Sequence, residues 1–329
     1  MRVPQVTLPD FAEPGARPSS LLRWAWLSIA AALVTISMKT GAYLLTGSVG
    51  LLSDALESVV NLVAALLALV ALRVAAKPAD RNHPFGHGKA EYFAAGAEGL
   101  MILVAALAII VAAVQRLFEP QPLESLGVGL TITLIATAVN GAVGWALLRA
   151  GRAHRSVALA ADGKHLITDV WTSAGVLLGV GLVALTGWLA LDSLVAVAVG
   201  VNITWTGIGL IRHSMRGLMD HALAKEDEEA VHDVLNGFLT SHAEVEFHAI
   251  QTREAGRERF ISLHVLVPGA WTIQRGHDLL EQIEAALFEA LPGAQVHTHL
   301  EPREDPRSYR DWTAGHGLAR DGQSPSSPG

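Results

Sequence analysis

Residues 160–186 read AADGKHLITDVWTSAGVLLGVGLVALT, an apolar run that holds Asp162, His165 and Asp169 at spacing i, i+3, i+7. Helical periodicity puts all three on one face. An ionisable group at mid-span costs about 2.5–3.5 kcal/mol on translocon-insertion scales, so packing alone gives no reason to keep three of them. The run at 50–74, GLLSDALESVVNLVAALLALVALRV, repeats the spacing with Asp54, Glu57 and Asn61. Two apolar helices with matched polar faces point to an α-helical membrane protein.

On either side of these, further apolar runs at about 21–45, 91–115, 125–149 and 188–212 bring the total to six spans. Each is near the twenty residues that cross about 30 Å of hydrocarbon. Arg23, Arg73, Lys77, Arg81, Lys89, Arg149, Arg152, Arg155, Lys164, Arg212 and Arg216 fall on the starting side, against Arg116 on the other. The positive-inside rule then places both termini in the cytoplasm of a multi-pass protein of the plasma membrane, the inner membrane in a bacterium. The proline-spaced residues 1–19 read as a flexible cytoplasmic lead, and 20–213 as the transmembrane domain.

Charge marks the second compartment. Residues 1–213 carry 26 charged side chains, whereas the shorter stretch 214–329 carries 29. Within 214–302 the pattern gives a helix near 225–240, strands near 244–253 and 258–267, a helix near 272–290 and a strand near 295–301. This αββαβ order suits a small α+β sandwich. Residues 303–329, rich in Arg, Asp, Ser, Pro and Gly, read as a disordered tail. The chain has no cysteine, which removes disulfides, thiolate nucleophiles and cysteine-based zinc sites. A net charge of −7 leaves no electrostatic footprint for nucleic acid.

If the second and fifth spans face one another, Glu57, Asn61, His165 and Asp169 offer two carboxylates, an imidazole and an amide oxygen to one divalent cation. That set suits Zn²⁺, and equally Fe²⁺, Co²⁺, Mn²⁺, Ni²⁺ or Cd²⁺. Interhelical hydrogen bonding without an ion is the alternative. Asp54 and Asp162, a turn nearer the helix starts, suit an outer-shell or water-contacting role. His165 must be unprotonated to bind metal and can regain a proton when metal leaves, so metal and proton compete for one site. In the loop, Asp80, His83 and His87 are spaced to close on one ion, or else form a solvated turn with incidental histidines. The soluble part places His248, His264, His297 and His299 on strands, His277 on the following helix and Glu301 at the last strand's end. A cytosolic metal site is one reading and ordinary polar surface the other; His221, His232, His242 and His316 take the second.

The stretches TGSVGLLSDALESVVN at 46–61, ADGKHLITD at 161–169 and above all HPFGHGKAE at 83–91 resemble the cation diffusion facilitators, over about residues 20–302. The resemblance implies six-span metal/proton antiporters with a cytoplasmic ferredoxin-like domain, working as homodimers. It implies a transport site at Glu57, Asn61, His165 and Asp169, and a loop site at Asp80, His83 and His87. It further implies a cytoplasmic binuclear site at His248, His264, His277, His299 and Glu301, and a charge interlock between Lys89 and Asp220 that holds two protomers together. Many zinc-transporting members carry Asp where Asn61 stands, and that amide removes one negative charge.

The expected function is therefore a secondary active transporter, not an enzyme. It exports Zn²⁺ or a similar divalent metal in exchange for protons by alternating access in a homodimer within the lipid bilayer, with Zn²⁺ or a like cation also the regulatory ligand. Two rivals are a membrane-anchored metal sensor or scaffold that moves no ions, and an intramembrane metal-dependent hydrolase, for which no H-E-x-x-H helix is present.

Overall fold

The computed structural model describes residues 18–46, 49–118, 128–188, 190–309 and 316–318; of the expected lead at 1–19, residues 1–17 lie outside the described residues and 18–19 begin a helix. The chain divides into two compact units, one holding residues 16–220 and the short stretch 255–257, the other holding residues 221–254 and the chain from Glu258 onward.

The first unit contains six long helices, α1 (Pro18–Thr46), α2 (Val49–Ala75), α3 (Ala90–Phe118), α4 (Val128–Ala153), α5 (Val157–Thr186) and α6 (Ala190–Leu218). Among the described residues, five carry a stretch long and apolar enough to cross a membrane; α5, at 30 residues, has the length but carries Asp162, Lys164, His165 and Asp169 in its first half. Large apolar side chains such as Leu33, Val104, Leu107, Trp171 and Trp205 face outward, as they do where hydrocarbon is the solvent. This is a helical membrane domain.

Small residues set the helix spacing. Gly144 of α4 and Gly163 of α5 face each other so closely that a Cβ on Gly163 would stand 2.9 Å from the Leu148 backbone nitrogen and 3.0 Å from the Gly144 carbonyl. Close backbone approach of this kind is how membrane helices gain packing without a hydrophobic driving force. It also sets the depth and rotation of α5, two residues before His165.

The start of α5 is pinned as well. The Ser156 hydroxyl accepts from the Leu159 N–H as an N-cap and donates to Glu91 Oε2 at 2.6 Å, while the Ala158 N–H donates to the same oxygen at 3.2 Å. A buried carboxylate from the first turn of α3 thus satisfies donors at the α5 N-terminus that have no partner within their own helix. Where the chain turns between α4 and α5, Arg155 takes a positive φ of 54°.

The second unit keeps closely to the expected order: α7 (Lys225–Ser241), β1 (Glu246–Ala255), β2 (Glu258–Val267), α8 (Ile273–Ala290) and β3 (Ala294–Pro302). Ile261, Leu263, Val265 and Val267 on alternate positions of β2 pack with Val231 and Leu235 of α7 and Leu279, Ile283 and Leu287 of α8 in one core. Both helices therefore cover the same sheet face. Strands β2 and β3 pair in parallel, with His264 opposite His299 and Leu266 opposite Glu301. The polar alternates of β2 and β3 accordingly share the face away from the helices.

One expectation is corrected here. Residues after 303 do not all lack order. A short 3₁₀ turn, Pro306–Tyr309, folds back through a Ser308 hydroxyl donating to the Pro302 carbonyl. A three-residue strand β4 (His316–Leu318) pairs antiparallel with β1, giving the order β3-β2-β1-β4. Edge-strand pairing supplies backbone partners that composition does not reveal. Residues 310–315 and 319–329 lie outside the described residues.

Gly163→Ala is expected to push α5 from α4 at a cost of about 1–3 kcal/mol. A lowered unfolding midpoint in detergent, together with weakened Zn²⁺ binding in the bundle, is the result to look for; an unchanged midpoint would mean the close approach does not set the helix spacing.

Candidate metal centres

Within the helix bundle, α2 and α5 bring Asn61, His165 and Asp169 together. Asn61 is 2% exposed, His165 4% and Asp169 9%. The Asn61 Nδ2 donates a short hydrogen bond to Asp169 Oδ2, and Asn61 Oδ1 stands 2.9 Å from His165 Nε2. Elementary donor chemistry fixes the rest. A carboxylate only accepts, so the amide must turn its NH₂ to Asp169 and its oxygen to His165. His165 Nε2 must then carry the hydrogen in this state. Its Nδ1 is buried with no hydrogen-bond partner.

A cavity of about 50 Å³ opens beside the three groups, lined by Thr168, Thr172, Ile102, Ile109 and Ile203 among others. That is room for a bare ion with a water or two. The helix of α2 continues through Asp54 and Glu57, but their side chains lie outside the described residues. By spacing, Glu57 is one turn from Asn61 on the same face. Asp162 is fully buried one turn before His165 and makes no contact that would place it in the trio.

Sequence reading passed over two buried groups. Asn140 of α4, 3% exposed, donates to Asp169 Oδ2 at 3.3 Å, giving that oxygen a second amide. Glu98 of α3 is completely buried. Glu98 recurs at i+7 from Glu91 and Asn140 at i+3 from Thr137, so each lies on a readable helix face; the cost of a polar group at mid-span was the signal.

The loop closes as its spacing allows. Asp80 Oδ1 accepts from the backbone N–H groups of Asn82 and His83, both at 2.8 Å, and faces His83 Nδ1 at 3.2 Å, while Oδ2 faces His87 Nε2 at 3.3 Å. One ligand atom from each residue lies within 4.8 Å of the others. The backbone hydrogen bond from His83 leads the interactions that hold the Asp80 carboxyl below the usual carboxylate range. The charge is thus present above the ordinary value, and the turn loses this support only as pH falls through the lowered one.

On the helix-free face of the second unit's sheet, Glu301 gathers histidines. Its Oε2 stands 2.8 Å from His248 Nε2 and 3.2 Å from His264 Nδ1, and its Oε1 stands 3.6 Å from His299 Nε2. The His264 and His299 rings are 4.9 Å apart, as their parallel register requires. His277 is not brought to this group. It is exposed on α8 beside Glu281, on the layer that covers the other sheet face. Tyr309, delivered by the ordered turn after 303, sets its ring 5.9 Å from that of His248. Lys89 Nζ pairs with Asp220 Oδ1 at 2.9 Å, and Asp220 adopts a left-handed φ of 56° just after α6.

Comparison with known proteins matches residues 25–219 to the cation efflux transmembrane domain and residues 223–303 to the cation efflux protein cytoplasmic domain. The chain belongs to the cation efflux family. It is 54% identical over 288 residues to the uncharacterized transporter sll1263 of a Synechocystis strain, covering 87% of this chain and 92% of that one. It is 33% identical over 278 residues to the cation-efflux pump FieF of Serratia proteamaculans, covering 84% and 91%. A solved structure of the putative zinc transporter CzrB in its zinc form matches 26% of this chain and 93% of that one, at 32% identity and a TM-score of 0.24. This cation-efflux protein is accordingly a multi-pass membrane transporter of divalent metal cations rather than a metallohydrolase.

Asp80→Asn is expected to keep the loop turn, since an amide oxygen accepts the same backbone N–H groups. Removing the charge that faces His83 and His87 should weaken Zn²⁺ binding at the loop by about tenfold or more. Calorimetric titration of the variant checks this, and unchanged affinity would show that the loop holds no ion.

Proposed function

We propose that the protein exports Zn²⁺, or a similar first-row divalent cation, from the cytoplasm in exchange for protons. The supporting observation is the hydrogen-bonded trio Asn61, His165 and Asp169 beside a cavity inside the helix bundle, with Glu57 one turn away on α2. In the ion-free arrangement a hydrogen on His165 Nε2 occupies the line between imidazole and amide oxygen. When His165 is the imidazolium, loss of its Nε2 proton with the Nδ1 hydrogen retained leaves an imidazole lone pair, an amide lone pair and a carboxylate around one point, a donor set for a divalent cation. Proton and metal are thereby mutually exclusive at one position, which is the elementary requirement for exchange. Alternating access needs two arrangements of the bundle, each opening the trio to one side of the membrane.

Glu57 completes the site as a second carboxylate, and Asn61 in place of an acid lowers its negative charge. In this reading the protein sits in the plasma membrane, the inner membrane of a bacterium, with both termini in the cytoplasm, and works as a homodimer. The Asp80, His83 and His87 loop binds one further ion. The Lys89–Asp220 pair acts as the interlock that steadies the protomers. Glu301 with His248, His264 and His299 takes regulatory metal ions from the cytosol. Their binding biases the relative orientation of two cytoplasmic domains and so tunes transport rate.

Proteoliposomes containing a pH-sensitive dye, challenged with Zn²⁺, Fe²⁺, Co²⁺, Mn²⁺, Ni²⁺ and Cd²⁺ under an imposed pH gradient, test the assignment. Metal flux accompanied by opposing proton flux is expected, with both lost in His165→Ala and Asp169→Asn. Full proton-coupled flux in His165→Ala would overturn the site, and metal binding without flux in the wild type would leave only a sensor.

A further inference from the structure

Two buried carboxylates stand outside the trio. Glu98 on α3 and Asp162 on α5 are both 0% exposed, and neither oxygen of either group has a hydrogen-bond partner among the described residues. The two are electrostatic neighbours: Glu98 feels the charge of Asp162, and Asp162 in turn that of Asp169. Ser28 of α1, also buried, faces Asp162 without closing a hydrogen bond of normal geometry. Among the described residues no lysine, arginine or histidine from any packed helix pairs with either carboxylate.

Their depth can be read from the clamp at the helix starts, where Glu91 meets Ser156. Glu98 is seven residues beyond Glu91 and Asp162 six beyond Ser156, which places them about 10.5 Å and 9 Å in at about 1.5 Å per residue. By the same measure His165 lies about 13 Å in and Asp169 about 19 Å in. Ala95 and Ile102, which flank Glu98 on its helix face, pack in one cluster with Ala161, the residue before Asp162. Ile102 and His165, one turn deeper on each helix, line the cavity. The two acids are thus level with each other, one turn from the cavity toward the end at which α3 and α5 begin.

Two like charges in apolar surroundings, with no cation beside them among the described residues and a serine hydroxyl facing Asp162, are costly, and a proton taken up by one of them removes one charge. We propose that Glu98 and Asp162 form a proton-holding station between the transport cavity and the end of the bundle where α3 and α5 begin. The step is a protonation, a carboxylate and a proton giving a carboxylic acid, with no other reactant. The inference rests on the antiport reading above for its role: protons moving inward against the exported cation pass through this pair. Neither acid serves as a metal ligand here, so cation binding and proton passage are separable.

The test uses the full-length protein as wild type, Glu98→Gln and Asp162→Asn, each first shown to elute as the wild type does. Equilibrium dialysis with Zn²⁺, Zn²⁺-driven proton flux in proteoliposomes, and the infrared C=O stretch of a protonated carboxyl are measured on each. Glu98→Gln is expected to retain the wild-type number of bound Zn²⁺ ions, to lose the coupled proton flux and to lose the infrared band. Wild-type proton flux with an unchanged band in Glu98→Gln would overturn the inference while leaving antiport intact. Loss of a bound Zn²⁺ would also overturn it, showing a cation station instead. If the wild type moves Zn²⁺ without protons, the antiport reading fails, and the band alone then decides whether the pair holds a proton. Asp162→Asn repeats the test at the second acid should Glu98→Gln not fold.

Discussion

The bundle depends on one constraint: a polar group placed at mid-span must find its partner within the protein, because hydrocarbon offers none. Asn61 meets it twice, donating to Asp169 and accepting from His165, and so ties α2 to α5 through side chains alone. Asn140 adds a second amide to Asp169 from α4. The interactions that offset the cost of burial also hold three lone-pair donors close to one cavity.

Much of the structure serves to present that group at a fixed depth. The glycine contact of Gly144 and Gly163 sets how closely α5 lies on α4, while Glu91 and Ser156 pin where α5 begins. Neither touches the trio. Small-residue contacts and capped ends keep backbone polar groups satisfied inside the bundle, which the alternating access proposed above requires of each arrangement.

The overall fold was legible because its signals are periodic. Apolar runs of spanning length gave the helices, period-two alternation gave β2 with Leu263 facing the helices and His264 facing away, and the i, i+3, i+7 spacing singled out the polar faces of α2 and α5. In the loop the structure brings together Asp80, His83 and His87, the residues that the aspartate–histidine spacing singled out. What escaped lacked a full trio of polar groups. Asn140 and Glu98 gain their meaning from what another helix brings beside them. The order after residue 303 comes from pairing with β1 and from Ser308 turning back to Pro302, which composition does not encode. His277 was grouped with the strand histidines through family resemblance, yet in one chain its helix lies on the opposite sheet face.

Anomalous X-ray diffraction from the full-length protein soaked with Zn²⁺ decides whether the buried trio receives the cation. An ion is predicted between α2 and α5, with His165 Nε2, an Asp169 oxygen and Asn61 Oδ1 at about 2.0–2.2 Å, and the hydrogen bond between His165 and Asn61 gone. Zn²⁺ found only at the Asp80 loop and the Glu301 cluster, with the Asn61 bridge intact and the cavity empty of metal, would contradict it.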